Sequence, residues 1–298
     1  MWRIICIIML FNISMLKCDE NYVKEFEKLG NLTIKYGNTT EIRFQMKDPS
    51  NKLLQTQLES LQEGIAELNA KIDRLTLTSL ESTHFPSSCT EATALSRRSG
   101  VYQILLPDYS VHPFLVSCDE DSHGGGWTIV LRREDGSVNF YRYWNDYKNG
   151  FGNVNSEFFI GLDTLHMMTK RRDQELLFVM ENSKGVTKFA KYDLFAIGSE
   201  KEFYDLHTLG DFSGDAGDSF TGQSSFKFTS RDQDNDVYPT GNCAQLYKGG
   251  WWYNKCHGSN LMGVYNETAY GTGINWNTFN GLNDSLKSVK VMIRQRRY

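Results

Sequence analysis

The chain lacks features that several common functions require. Beyond Leu16 no apolar stretch approaches the ~20 residues needed to cross a bilayer, so no membrane span is expected. Formal net charge is −4, and the one basic cluster in the sequence, Arg294, Arg296 and Arg297, sits at the extreme C-terminus; this gives no electrostatic footprint for nucleic acid. Neither G-x-S-x-G nor H-E-x-x-H occurs, and no enzyme reading is supported. Cys243 and Cys256 are spaced C-x12-C, with His257 beside them, whereas a zinc site wants a closer pair and a fourth ligand. There is no Gly-X-Y run and no internal repeat.

The 298 residues are 40% hydrophobic and 13% aromatic, enough for a core of ordinary density over most of the length. Residues 1–18, MWRIICIIMLFNISMLKC, set Arg3 ahead of a short apolar run, the form of a secretory signal peptide. Cleavage is expected near Lys17 to Asp19, with an uncleaved anchor as the alternative, and the mature protein is expected to be secreted. An oxidising compartment makes disulfides of Cys89, Cys118, Cys243 and Cys256; three connectivities are open, and sequence-local pairing is the simplest. Cys18, if it survives processing, is an odd thiol able to join two chains.

Residues 19–49 have no clean period and read as an exposed N-terminal segment, with Asn31 and Asn38 as glycan acceptors. Over 50–80, Leu54, Leu58, Leu61, Ile65, Leu68, Ile72 and Leu75 recur at alternating spacings of 4 and 3. This heptad seam predicts a short coiled coil and hence a homo-oligomer, either dimer or trimer. From 85 to 298 short apolar strands such as Val101–Leu106 and Trp127–Leu131 are broken by Gly and Asn/Asp turns, which predicts one α+β domain.

Asp232, Asp234 and Asp236 alternate in one loop, and such carboxylates can converge on a hard cation, favouring Ca²⁺ over zinc. The loop is not an EF-hand: counting from Asp232, Val237 stands where Gly is needed and Cys243 where a bidentate Glu is needed. A solvated acidic turn is the alternative. Further on, Gly249-Gly-Trp-Trp-Tyr253 beside Cys256-His257 offers apolar walls with polar tips, suited to a small neutral ligand but equally to a core.

These stretches, together with Gly100-Val-Tyr-Gln-Ile104, Cys118-Asp-Glu-Asp-Ser-His-Gly-Gly-Gly-Trp-Thr128 and Arg132 to Arg142, resemble the fibrinogen C-terminal domain. So do Asn242-Cys-Ala244, Ser259-Asn-Leu261 and Ser285-Leu-Lys287, the similarity running from about Ser88 to Arg294. The resemblance implies a globular domain of mixed β-sheets and short helices, sequence-local disulfides, no catalysis, and Ca²⁺ in the carboxylate loop. Asp234 and Asp236 would supply side-chain ligands. An apparent extra residue before Cys243 leaves the carbonyl donors open between Tyr238 with Thr240 and Pro239 with Gly241.

Acetyl-binding members of that family, the ficolins and tachylectins, imply a pocket at Tyr247, His257 and Tyr270, with main-chain N–H groups near Cys256 and His257 for the acetyl carbonyl and a cis peptide before Cys256. Gly271 stands where such members often have Ala, and Leu282 where they often have an aromatic; both shrink the apolar wall. Asn266 and Asn283 are glycan acceptors close by. The expectation is a secreted, oligomeric, calcium-dependent lectin for N-acetylated sugars or other acetylated surface groups, serving innate immune recognition by agglutination. The alternative is an angiopoietin-like ligand that binds a receptor, or a matrix adhesion protein.

Overall fold

The computed structural model describes residues 30–35, 41–46, six helical positions between 60 and 71, and 85–296 except 108. The signal segment, Cys18, Asn38 and all seven seam residues of the expected coiled coil lie outside the described residues. Two compact units, Met1–Thr83 and His84–Tyr298, are taken separately.

In the first unit β1 (Gly30–Lys35) and β2 (Glu41–Met46) form an antiparallel hairpin whose register sets Leu32 opposite Phe44 and Ile34 opposite Ile42. The stretch carries the period of 2 expected of a strand pair, a pattern that sequence inspection of 19–49 passed over. The six described positions between 60 and 71 are all helical.

The second unit opens with α1 (Cys89–Ala92), followed by β3 (Gly100–Ile104), β4 (Phe114–Asp119) and β5 (Trp127–Arg133). Next come α2 (Trp144–Asn149), β6 (Phe151–Gly152), β7 (Phe158–Phe159), α3 (Leu162–Arg171), β8 (Gln174–Glu181) and β9 (Thr187–Ala196). The chain continues with β10 (Thr208–Leu209), β11 (Phe212–Gly214), α4 (Cys243–Leu246), β12 (Ser259–Asn260), β13 (Asn275–Trp276), α5 (Asn277–Asn280) and β14 (Ser288–Gln295). The main sheet runs β10-β9-β8-β14-β5-β4-β3, and its ladders are antiparallel.

Sheet order explains the sequence texture. Both β8, with its run Leu176-Leu-Phe-Val-Met180, and β14 lie inside the sheet and are buried on both faces, so they read as nearly continuous apolar runs. The last strand of the chain therefore sits between β5 and β8 and closes the domain.

Side chains from β8 and β9 join those of the long irregular region 215–280 in one aromatic core, where Phe178 lies 5.2 Å from Phe220 and 5.0 Å from Trp276. Arg133 and Glu157 form a buried ion pair at 3.3 Å. Arg133 also donates to the carbonyls of Leu261 and Gly263, and Glu157 accepts from the N–H groups of Glu134 and Val138. A buried charge pair is tolerated when its remaining donors and acceptors are met in this way, and here it ties β5 to the loop that follows β12.

Of the C-terminal basic cluster, Arg294 and Arg296 are both paired within the domain. Arg294 is buried, pairs with Glu175 and lies over Trp127, while Arg296 pairs with Asp193.

Candidate functional site

Disulfides join Cys89 to Cys118 and Cys243 to Cys256, the sequence-local connectivity. The second staples α4 to the segment 254–258, whose Lys255–Cys256 peptide is cis. Gly249 and Gly250 set the approach to that segment. A Cβ on Gly250 would lie 2.5 Å from the Tyr147 ring, and one on Gly249 would meet the Met262 carbonyl, so neither position has room for a side chain.

Three of the sequence-predicted pocket residues do come together. His257 packs edge-on to Tyr247 with ring centroids 4.6 Å apart, and its Nε2 lies 3.1 Å from the Gly271 carbonyl. That carbonyl also accepts from Asn260 Nδ2 at 3.3 Å. With Nε2 donating, Nδ1 is left as a buried acceptor without a donor. Burial holds the imidazole pKa down to about 4, only partly offset by the Gly271 contact, so the ring is neutral at pH 7.

Gly271 is in the left-handed region at φ +73, and a Cβ there would lie 2.5 Å from the Tyr247 ring and 3.1 Å from His257 Nε2. The Tyr247 ring therefore packs directly against Gly271. Tyr270 is 62% exposed beside them. The Gly271 N–H donates to Leu282 O at 2.7 Å, joining the two loops that carry Asn266 and Asn283, both exposed.

An open cleft of about 420 Å³ lies against the segment 254–258. Cys256 and His257 line it together with Asp218, Thr221, Lys255 and Thr278, but Tyr247, Tyr270 and Gly271 do not. The main-chain N–H groups of Cys256 and His257 have no acceptor among the described residues. Asp218 is committed inward: its Oδ1 accepts from Tyr192 Oη at 2.6 Å and from the N–H groups of Phe220 and Thr221 at 3.0 Å. Burial alone would raise its pKa, but the hydrogen bonds from Thr221, Tyr192 and Phe220 outweigh it and hold the carboxylate ionised. Sequence reasoning missed the contributions from 218–223 and 277–278, because they come from distant parts of the chain and carry no spacing signal.

In the carboxylate loop the three acids do not converge. Asp232 turns away, its Oδ1 accepting from Trp144 N at 2.8 Å and Ser230 Oγ at 2.7 Å. Asp236 accepts from the N–H groups of Tyr238 and Cys243, and burial together with the neighbouring Asp234 carboxyl raises its pKa. Crowded carboxylates of this kind are relieved by a cation. The carbonyls of Tyr238, Thr240 and Gly241 accept no hydrogen bond among the described residues. No group of three His, Cys, Asp or Glu gathers there or elsewhere among those residues. The residues thus fit Ca²⁺ held by Asp234, Asp236 and main-chain carbonyls, with Asp232 Oδ1 engaged by Trp144 and Ser230 instead.

With this geometry in place, comparison is informative. Residues 85–296 match the family model for the fibrinogen beta and gamma chains, C-terminal globular domain. The chain belongs to this family. Among curated relatives, fibrinogen-like protein 1 of Rattus norvegicus is 43% identical over 216 residues, covering 66% of this chain and 68% of the relative. Angiopoietin-related protein 2 of Homo sapiens is 43% identical over 229 residues, covering 74% and 46%. The fibrinogen-like globe domain of human ANGPTL2 superposes with a TM-score of 0.68 at 42% identity, over 71% of this chain and all of that one. A lamprey fibrin D-dimer complexed with the peptide Gly-His-Arg-Pro-amide gives a TM-score of 0.67 at 26% identity, over 82% of this chain and 89% of that one. The match spans about half the length of angiopoietin-related protein 2. No helix among the described residues is long and apolar enough to cross a membrane.

Proposed function

We propose that this member of the fibrinogen family is a secreted, oligomeric, non-catalytic ligand whose globe binds a protein partner through the cleft beside Cys256 and His257. The observation that carries this reading is the placement of Tyr247. Its ring packs against Gly271 and His257 and lines no part of the cleft, which opens instead toward Asp218, Lys255 and Thr278. N–H groups without acceptors suit the carbonyls of an extended peptide segment as well as they suit an acetyl group. The similarity to angiopoietin-related protein 2 and to a fibrin that holds a short peptide supports the protein-binding reading over a lectin.

In this reading the N-terminal signal directs secretion and the heptads of 50–80 multimerise the globe, so that weak single-site affinity is raised by avidity. Ca²⁺ stabilises the 234–241 loop next to α4.

The test is saturable binding of labelled oligomeric protein to intact cells before and after surface proteolysis. Binding should disappear with proteolysis, resist free N-acetylglucosamine and acetate, and fall at least about tenfold in Thr278→Arg, which fills the cleft mouth. Elution by N-acetylglucosamine or acetate, with Thr278→Arg unaffected, would return the protein to the lectins.

A further inference from the structure

A cationic cluster built on aromatic rings lies outside the cleft. Tyr141 and Tyr143 flank Arg142 in the turn that leads into α2, where the Arg142 N–H donates to Phe140 O at 2.9 Å and Tyr143 is the N-cap. The Arg231 guanidinium is held between them, its carbon 4.4 Å from the centroid of each ring. Lys248, at φ +59 just before the close-packed Gly249-Gly250, places its ammonium 5.1 Å from the same Tyr141 ring. The two charges therefore share one aromatic platform.

Neither cation has a carboxylate partner among the described residues. Arg231 makes one long contact, from an NH1 to the Tyr141 carbonyl at 3.5 Å. The two acids nearest in the chain and along α2 are used elsewhere: Asp232 accepts from the Trp144 N–H and Asp146 from the Tyr143 N–H. The Arg231 backbone is fixed as well, since its carbonyl accepts from Gln245 Nε2 at 2.8 Å and Ser230 Oγ donates to Asp232. A guanidinium immobilised by stacking loses little entropy on binding, and its free edge is a fork for an oxyanion.

We infer that Arg231 and Lys248, set on Tyr141 and Tyr143, form a binding site for the sulfate groups of an acidic polysaccharide. Arg231 takes one sulfate through its edge, Lys248 takes a second as a point charge, and the half-exposed Tyr143 ring offers a face for a pyranose. A protein partner would need a pocket for an anchoring side chain, and the cleft includes none of these four residues. This site stands independently of the cleft reading.

The experiment measures binding of the full-length oligomeric protein to a size-defined heparin dodecasaccharide at several NaCl concentrations, with polyglutamate of equal charge as competitor. Arg231→Gln and Lys248→Gln should each weaken binding about 3- to 10-fold and lower the slope of log affinity against log salt by about 1. Tyr141→Leu should weaken binding although no charge is lost, because the guanidinium is released, and Lys184→Gln in the β8–β9 turn should bind like the parent. Equal binding by parent and Arg231→Gln, with both folded by near-UV circular dichroism, would overturn the site. Displacement of heparin by polyglutamate at equal charge would also overturn it, in favour of an acidic protein segment.

Discussion

His257 Nε2 donates to the carbonyl of Gly271 across 3.1 Å, and this one contact settles the character of the surface around it. It ties the 266–271 loop to His257 beside Tyr247, where Gly271 holds a conformation that excludes a side chain, and it only partly offsets the burial that keeps the imidazole neutral.

Gly271→Ala should therefore destabilise the domain even though Ala is the residue the acetyl-binding relatives were expected to carry. The left-handed backbone alone costs at least about 1 kcal/mol, and the Cβ adds a clash with Tyr247. Thermal unfolding should show a clear loss, and Tyr247→Ala in the same background should recover the clash but not the backbone cost. An unchanged midpoint in the single variant would contradict the packing.

Buried His257 also imposes a pH dependence. Its folded pKa of about 4 lies below the ordinary 6.5, so between these values the unfolded chain binds the extra proton. Stability should be flat above pH 6.5 and fall as pH drops toward 4, at up to about 1.4 kcal/mol per pH unit. Urea midpoints across pH 4–8 should show this slope in the parent. His257→Gln should lose that component and keep the carboxylate titration below it.

The Arg133–Glu157 pair is a structural staple, and breaking it from one side should cost more than removing both charges. Glu157→Ala leaves Arg133 buried without its partner, a loss of about 3–5 kcal/mol. Arg133→Met with Glu157→Leu should be milder. Calorimetric midpoints decide it, and a double variant less stable than the single would refute the account.

Calcium should raise the unfolding midpoint of the parent over a range near 10⁻⁴–10⁻³ M, as expected of extracellular sites. Asp236→Asn should abolish that response and Asp232→Asn should preserve it, since Asp232 is engaged with Trp144 and Ser230. Differential scanning fluorimetry with calcium and with EDTA reads both. A lost response in Asp232→Asn would place that residue back among the ligands.

Much of the architecture was legible in local pattern. Short apolar strands between Gly and Asn/Asp turns marked an α+β domain, and Cys89, Cys118, Cys243 and Cys256 pair with their sequence neighbours. The strand pair of 30–35 and 41–46 carries the same period, set among polar residues that obscure it.

What the chain determined by itself was chemistry of short range: strand period, turn residues, and which residue types crowd the segment 247–257, whereas the pairing of the cysteines was left among three connectivities. Only the tertiary structure decided which groups are open. It turned Asp232 away from its neighbours, carried Arg294 inward, laid Tyr247 over Gly271 and opened the cleft toward Asp218 and Thr278. Each of these depends on contacts between segments tens of residues apart, where packing density and the pairing of buried polar groups, not spacing, choose the arrangement.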